Sequence, residues 1–426
     1  MALGLAENRT TQMTSPTNNE WIHDWNQASA PLIPPGTRIL LNDETLRDGL
    51  QNPSVYDPSI EEKIEILHLM EALGIDSLNI GLPGAGPRAV AHTEALAREI
   101  ATNRMKIRPN AAARTVEADI RPIAEISQRV GIAIEAATFL GSSPIRRLVE
   151  DWTVDHLERT TEKAVKFAVE HNLPSMYVTE DTIRTDPATI KRLYSTAIRS
   201  GARAIVLCDT VGHATPPGAY NLIKFAVEEV VKPSGEKIRV DWHGHNDRGL
   251  AIANSLWAVA AGANCVHAAA NSLGERVGNT PMELMLVNLR LMGLIDRDLS
   301  RLKEYCEKVA KATHTTIPPN YPVIGRDAFR TATGVHAAAI IKAYHKQDAA
   351  LADAVYSGVP SHLFGLDQII EIGPMSGKSN VLFWLERHGI PADDALVGRI
   401  FDAAKQSARV LTESEVQALC AEAARN

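Results

Sequence analysis

The feature that most constrains the fold is an eightfold alternation of short apolar segments with amphipathic segments between residues 37 and 295. Short apolar runs predict buried parallel strands, and the segments between them place apolar residues at helical spacing. The candidate strands are residues 38–43, 76–81, 106–112, 132–139, 173–179, 203–208, 237–243 and 264–270. Eight strand-helix units over about 260 residues match the size of an α/β (β/α)8 TIM barrel, and the alternative fold is a doubly wound open sheet.

The predicted helices carry capping signals at both ends. A polar side chain precedes proline at Asp57, Asp186 and Thr215, which predicts an N-cap at each of these positions. Glycines that suit a left-handed C-terminal residue follow the last apolar turn of four helical segments, at Gly74, Gly131, Gly201 and Gly262. These boundaries support the division into strand-helix units.

Three further segments flank the predicted TIM-barrel catalytic domain of residues 37–298. Residues 1–36 are rich in Thr, Asn, Ser and Pro and predict an N-terminal arm, in which Trp21 and Trp25 belong to a short amphipathic turn. Residues 299–345 are interpreted as a linker subdomain, and residues 346–426 as a helical C-terminal subdomain. We therefore expect a barrel followed by small, mainly helical subdomains.

Composition and charge argue against several classes of protein. The 44 basic and 51 acidic side chains give a net charge of -7, which offers no basic footprint for nucleic acid or an anionic membrane. The four cysteines are widely spaced and form no CxxC pair, which favours a reducing cytoplasm. No signal peptide or membrane span is expected, because the N-terminal apolar run is short and no later one is long enough. A cytoplasmic enzyme is the expectation.

Two histidines at the end of the seventh candidate strand suggest a metal site. His243 and His245 lie on one side of the strand, because side chains alternate between its two faces. Such a pair can bind one metal ion, and the alternative is two hydrogen-bonded polar residues at a strand end. A strand supplies only part of a coordination shell, so Asp48 after the first strand is the expected carboxylate ligand.

Polar residues also follow other candidate strands, at the end where TIM-barrel enzymes carry their active sites. They are Arg47 after strand one, Glu180 and Asp181 after strand five, Asp209 and Thr210 after strand six, and Asn271 and Asn279 after strand eight. This clustering favours the metal interpretation of the histidine pair.

The glycines of residues 81–86 do not predict a phosphate-binding turn, because their spacing fits neither the P-loop nor the dinucleotide fingerprint.

Four ordered motifs resemble the signatures of the DRE-TIM metallolyase superfamily. They are Asp43-Glu-Thr-Leu-Arg-Asp-Gly-Leu-Gln51, Leu207-Cys-Asp-Thr-Val-Gly212, His243-Gly-His-Asn-Asp-Arg-Gly-Leu250 and Asn271-Ser-Leu-Gly-Glu-Arg-Val-Gly-Asn279. The superfamily contains 2-isopropylmalate, homocitrate and citramalate synthases, 3-hydroxy-3-methylglutaryl-CoA lyase and 4-hydroxy-2-oxovalerate aldolase. The resemblance covers roughly residues 37–380 and implies a TIM barrel.

The synthase branch resembles this chain most. The run Gly274-Glu-Arg-Val-Gly-Asn279 is similar to the synthases' version, and residues 325–336 resemble the synthase segment that ends in a catalytic histidine. Only Leu50-Gln51-Asn52 leans towards the lyase. The resemblance implies an acyltransferase that condenses an acyl-CoA, most simply acetyl-CoA, with a 2-oxo acid and hydrolyses the thioester to a 2-alkylmalate-like product. The alternatives are a lyase that cleaves a 3-hydroxyacyl-CoA or a 4-hydroxy-2-oxo acid, and a barrel retained without catalysis.

The resemblance also implies roles for individual residues. Asp48, His243 and His245, with Asn279 nearby, are expected to hold a divalent ion such as Mg, Mn, Zn or Co. Arg47 is expected to stabilise the developing alkoxide, and Thr210 to bind the substrate carboxylate. His336, with a carboxylate such as Glu180 to polarise it, is expected to remove the α proton of the acyl-CoA from across the interface of a homodimer. Alternatively, Arg47 is a salt-bridge partner of Asp43 or Asp48, and Glu180 caps the next helix.

Two positions depart from the pattern that the resemblance implies. Asn79 stands where a glutamate that holds the catalytic arginine is expected, and Ala137 stands where isopropylmalate synthases usually carry a histidine. We therefore expect Arg47 to lack its anchoring charge and the pocket beside Gln51, Asn79 and Ala137 to accept a bulkier or differently charged 2-oxo acid. The chain also ends before the synthases' regulatory domain, so inhibition by leucine through that domain is not expected.

Overall fold

The computed structural model describes residues 21–423, and its centre is a closed barrel of eight parallel strands in chain order. The strands are β1 (Leu40–Asp43), β2 (Ser77–Asn79), β3 (Arg108–Arg114), β4 (Glu135–Gly141), β5 (Ser175–Glu180), β6 (Ala204–Asp209), β7 (Arg239–Gly244) and β8 (Cys265–Ala268). All eight candidate strands are confirmed. The barrel closes where Leu41 of β1 pairs with Val266 of β8, so the open-sheet alternative is wrong.

Helices surround the barrel. They are α1 (Ile60–Ala72), α2 (Pro87–Thr102), α3 (Glu117–Val130), α4 (Pro144–Glu150), α5 (Val154–Glu170), α6 (Pro187–Arg199), α7 (Pro216–Ala226), α8 (Lys232–Ser234), α9 (Ala251–Ala260), α10 (Met282–Leu291) and α11 (Leu302–Ala312). Two helices, α4 and α5, follow β4, whereas the sequence pattern predicts one segment there. No helix within residues 21–423 is long and apolar enough to cross a membrane.

Strand alternation separates an apolar outer layer from a polar interior. Leu41 faces outward and packs in one core cluster with Ile66 and Met70 of α1. The next residue, Asn42, faces inward, where its Oδ1 accepts hydrogen bonds from Ser77 (2.8 Å) and Asn110 (2.6 Å). Because side chains alternate, Asp43 points outward again and the following residues of the chain enter the barrel mouth.

Two of the three predicted N-caps are confirmed. The Asp186 carboxylate accepts from the backbone N–H of Thr189, and the Thr215 hydroxyl accepts from Gly218. The prediction for Asp57 is wrong, because Ser59 caps α1 in a capping box with Glu62. The Asp57 carboxylate is instead engaged by Lys63 and Arg88. Ser59 has Glu62 three residues later and so makes both reciprocal bonds, whereas the residue three positions after Asp57 is Ile60, which has no side-chain acceptor.

A mainly helical part follows the barrel, as predicted. It contains α12 (Gly334–His345), α13 (Ala349–Ala354), α14 (Lys378–Arg387), α15 (Asp394–Gln406) and α16 (Glu413–Ala423), with a small sheet of β9 (Arg330–Thr331) and β10 (Ile369–Ile370). One apolar cluster joins Ile340 of α12 to Phe383 of α14, so residues on both sides of the predicted boundary at 345 share a core.

The predicted N-terminal arm is described only from residue 21. Its short turn is present as a 3-10 helix at Trp25–Gln27, capped by Asp24. Trp25 is 80% exposed and Trp21 is 49% exposed. Neither indole therefore anchors the arm to its own barrel. The rest of the arm, residues 1–20, lies outside the described residues.

Candidate active site

A cavity opens at the C-terminal ends of the strands, and its walls have two distinct halves. The polar half is formed at β1, β7 and β8 by Glu44, Arg47, Asp48, His243, His245 and His267. The apolar half is formed at β3 to β6 by Ala112, Ala137, Phe139, Met176, Val178, Val206 and Cys208. This location agrees with the sequence prediction that chemistry gathers at the carboxyl ends of the strands.

Asp48, His243 and His245 converge in the polar half. The Oδ2 atom of Asp48 lies 3.7 Å from Nε2 of His243 and 3.6 Å from Nε2 of His245, and the two Nε2 atoms are 3.4 Å apart. Oδ2 is buried and has no hydrogen-bond donor within the described part of the chain. An unsatisfied buried carboxylate oxygen beside two imidazole nitrogens fits a divalent cation, so the predicted ligand set fits a metal ion.

Asn279 lies behind these ligands and not on the cavity wall. Its backbone forms a bridge with His245, and its side-chain amide donates to the carbonyl of Leu273 (2.8 Å). Gly278 makes this approach possible, because it adopts a φ of +91° and a Cβ there would meet the carbonyl oxygen of Ser272 at 1.5 Å. The Oδ1 atom of Asn279 is buried without a donor, beside the metal-ligand cluster.

The electrostatics of the cluster favour metal-binding protonation states. Burial opposes ionisation of Asp48, but Arg47 and the two histidines outweigh it and hold the pKa of Asp48 at about 2. Burial lowers the pKa of His243 to about 3, and it also lowers the pKa of His245. An ionised carboxylate and two neutral imidazoles are the forms that coordinate metal ions.

Arg47 is anchored, and the expectation that its charge partner is missing is wrong. Its Nε donates to Oε2 of Glu44 at 3.0 Å, and its Nη1 donates to Oδ1 of Asp48 at 3.2 Å. Asp43, one of the partners weighed from sequence, instead accepts from the hydroxyl of Tyr305. Asn79 carries no charge that could hold Arg47, and Glu44, in the motif at the end of the first strand, supplies that charge instead. Glu44 was not among the predicted site residues, although alternation along β1 after the inward-facing Asn42 was a signal for its inward direction.

Glu44 belongs to a buried network whose members were not among the predicted site residues. The Nδ1 atom of His267 lies 3.2 Å from Oε1 of Glu44, and its Nε2 lies 3.2 Å from Oδ2 of Asp241. Burial opposes a charge on His267, but the two carboxylates outweigh it and raise its pKa to about 9. The available signal was alternation, since His267 stands two residues after Cys265 on a strand whose inner face is polar.

Thr210 and Glu180 lie on the cavity wall as expected. The Thr210 hydroxyl accepts a hydrogen bond from the backbone N–H of Asp181 at 2.8 Å, and its own O–H can donate a hydrogen bond to a ligand. The Glu180 carboxyl makes no hydrogen bond with the described residues, and burial raises its pKa despite Arg146 and Arg47. Glu180 is not a helix cap, because Asp186 caps the next helix, α6.

The three predicted substrate-side residues also line the cavity. Ala137 is 5% exposed and Asn79 is 1% exposed, whereas Gln51 is exposed at the mouth. The Asn79 Oδ1 accepts from the backbone N–H of Gly81. The structure therefore brings these three positions to one cavity with the metal-ligand cluster.

His336, the predicted catalytic base, does not line this cavity. It lies in the first turn of α12, is exposed, and packs its ring against Tyr356 with a centroid distance of 4.2 Å. Its neighbour Val335 is 74% exposed. Within one chain, His336 is therefore not among the residues that line the cavity with the Asp48 cluster.

Comparisons with known proteins agree with this architecture. Residues 38–309 match the model of the HMGL-like family. A probable 2-isopropylmalate synthase from Methanopyrus kandleri is 32% identical over 373 residues, which are 87% of this chain and 70% of that protein. A homocitrate synthase from the same organism is 30% identical over 372 residues, 86% of this chain and 87% of that protein.

A solved structure agrees with the fold. The HMG-CoA lyase of Bacillus subtilis superposes with a TM-score of 0.57 at 19% identity, over 67% of this chain and 97% of that one. At this identity the likeness concerns the fold alone. The barrel with its four motifs and the match over residues 38–309 lead to one conclusion: this chain belongs to the HMGL-like family of DRE-TIM barrels.

Proposed function

We propose that this protein is an acyltransferase that joins the acyl group of an acyl-CoA, acetyl-CoA in the simplest case, to the keto carbon of a 2-oxo acid. Hydrolysis of the thioester then releases free CoA and a 2-alkylmalate-like product. The observation that carries the proposal is the convergence of Asp48, His243 and His245 beside the anchored Arg47. The synthase names of relatives at 30–32% identity support it.

The chain's own residues divide the binding of the 2-oxo acid between them. Asp48, His243 and His245 would hold a divalent ion, which supplies Lewis-acid polarisation of the keto group and a template for the adjacent carboxylate. The Thr210 hydroxyl, which accepts a hydrogen bond from the backbone N–H of Asp181, donates a hydrogen bond to that carboxylate. Arg47 donates from Nη1 to the keto oxygen as it becomes an alkoxide.

Removal of the α proton from the acyl-CoA needs a base. We assign it to His336 of a second chain, with Glu180 in the cavity to polarise the imidazole. His336 is exposed on its own chain, and a symmetric dimer would let each copy supply it to the other. The homodimer, the division into subdomains at 298 and 345, and a cytoplasmic location are parts of this proposal.

The cavity's two halves favour a 2-oxo acid with a large, uncharged side chain. Arg47 is the only Arg or Lys among the described residues that line the cavity, and Glu44 and Asp48 already engage it. His267, whose raised pKa makes it the other cationic side chain of the polar half, is engaged by Glu44 and Asp241. A second substrate carboxylate on the apolar half would therefore face apolar side chains and Glu180 without a free cationic partner. The small side chains of Ala112 and Ala137 leave room on the apolar half for bulk that a larger residue would exclude.

The test is incubation of metal-loaded protein with acetyl-CoA and single 2-oxo acids, with release of free thiol as the readout. Turnover should be fastest with a large apolar 2-oxo acid and slow with 2-oxoglutarate and oxaloacetate. Release of acetyl-CoA or pyruvate from a 3-hydroxyacyl-CoA or 4-hydroxy-2-oxo acid, with no condensation, would instead establish the lyase alternative. Bound metal without turnover in either direction would contradict both.

A further inference from the structure

A line of alternating charges runs through the barrel interior from the N-terminal ends of the strands to the active site. Its members, in order, are Glu135, Arg239, Asp241, His267, Glu44 and Arg47. The Nη2 atom of Arg239 donates to Glu135 at 2.8 Å, and its Nε atom donates to Asp241 at 2.9 Å. The four middle members are side chains that alternation directs into the barrel.

His267 is the link between the two halves of this line. Its ring spans two carboxylates, with one ring nitrogen 3.2 Å from Asp241 and the other 3.2 Å from Glu44. The ring is 4% exposed and Asp241 is completely buried. A planar ring held at both edges has little freedom to turn, so the position of Asp241 determines where the Nδ1 atom meets Glu44.

Glu44 transmits this position to Arg47. Its Oε1 is occupied by His267 and by the side-chain amide of Asn42, which donates at 2.8 Å. The carboxylate therefore cannot rotate, and Oε2 is left to accept from Nε of Arg47. With Nε fixed on Glu44, the guanidinium presents Nη1 beside Asp48, next to the metal-ligand cluster.

We propose that His267 and Asp241 are positioning residues that hold Arg47, through Glu44, in the orientation in which it meets the substrate. The inference rests on the proposed function, in which Arg47 acts on the keto oxygen. Stability alone does not explain why the barrel contains these charged residues, because buried ion pairs often stabilise the folded state no more than apolar residues of similar volume. A TIM barrel is ordinarily filled by layers of branched apolar side chains, which avoid that cost.

The discriminating variant is Asp241→Asn, because Asp241 does not line the cavity. We expect its kcat to fall roughly 10-fold, with the KM for the 2-oxo acid within about two-fold of wild type and full metal content. His267→Gln should lose more, since it breaks the contact to Glu44 itself. Glu135→Gln should change kcat by less than about two-fold, because Asp241 still holds Arg239.

A double variant separates positioning from folding. Asp241→Asn with Arg239→Gln removes both charges of a buried pair, so it should regain the thermal stability that the single variant loses while kcat stays low. Tyr177→Phe is the stability control: it removes the buried hydrogen bond to Thr161 on the outer face of β5, and its kcat should be unchanged.

Crystal structures supply a readout that needs no substrate. In Asp241→Asn and in the double variant, the hydrogen bond from Nη1 of Arg47 to Asp48 should be absent, or the Arg47 guanidinium should occupy two orientations. Wild-type kcat together with an unmoved Arg47 in either folded variant would overturn the inference. If the wild-type protein shows no turnover, the proposed function has failed, and the position of Arg47 in the variant crystals still decides the positioning relationship.

Discussion

The hydroxyl of Tyr321 donates a hydrogen bond of 2.5 Å to Oε1 of Glu283, which is completely buried on α10. The other carboxyl oxygen accepts from the backbone N–H of Asn271 at 2.9 Å. One carboxyl thus joins the loop after β8 to the segment after α11. Burial raises the pKa of Glu283 to about 7, so this junction is sensitive to pH near neutrality.

The first prediction concerns that sensitivity. A carboxyl whose pKa is raised on folding stabilises the native state at low pH, and this contribution is lost as the pH rises from about 4.5 to about 7. The free energy of unfolding should therefore fall between pH 5 and pH 8. Glu283→Gln imitates the protonated form and should reduce that fall by an amount on the order of 3 kcal/mol.

Urea unfolding of the two proteins at both pH values measures this difference. The control is Glu61→Gln, which changes an exposed glutamate on α1 and should leave the pH dependence as it is in wild type. An identical pH dependence in wild type and Glu283→Gln would show that Glu283 titrates alike in the folded and unfolded states.

The second prediction concerns the metal ligands. Asp48→Ala and His243→Ala should each abolish stoichiometric binding of a divalent metal and the activity with it, because each removes one of three converging ligands. Elemental analysis of the purified variants measures the metal directly. His213→Ala, which changes an exposed histidine at the barrel rim, is the matched control and should retain full metal. Full occupancy in both ligand variants would rule out this site.

The third prediction concerns the apolar half of the cavity. Ala137→Leu fills part of the cavity beside β4, so it should lower kcat/KM for large 2-oxo acids by about 10-fold or more. The kcat/KM for pyruvate should stay unchanged, because pyruvate has a small side chain. The ratio of kcat/KM for a large and a small substrate, measured on one enzyme preparation, cancels any loss of folded protein. A parallel loss for both substrates would mean that Ala137 does not face the substrate side chain.

The fourth prediction concerns His336 and the dimer. His336→Ala and Arg47→Ala should each be inactive alone. Mixed and reassembled in equal amounts, they should recover about a quarter of wild-type activity, because half of the dimers are hybrids and each hybrid has one intact site. Mixing two preparations of Arg47→Ala is the control. If the mixture stays inactive although hybrids form, His336 does not act across subunits.

Much of the fold could be predicted from the sequence because it depends on local patterning. Eight apolar runs separated by helical segments specify eight strands, and alternation along β7 places His243 and His245 on one face. Capping was predictable where one residue dominates, as at Asp186, and failed at Asp57 because Ser59 two residues later makes a better reciprocal cap.

Tertiary structure decided what depends on side chains meeting across the barrel. The sequence shows Asn79 in place of an expected charge, but only the closed barrel brings Glu44 of the first motif to Arg47 and His267 of β8 to Glu44. Such contacts join residues up to 223 positions apart in the chain, and no local pattern encodes which inward side chains reach each other. Alternation sets the direction of each side chain, but barrel closure, which pairs β1 with β8, decides which inward side chains meet, and it thereby determines the anchor of Arg47.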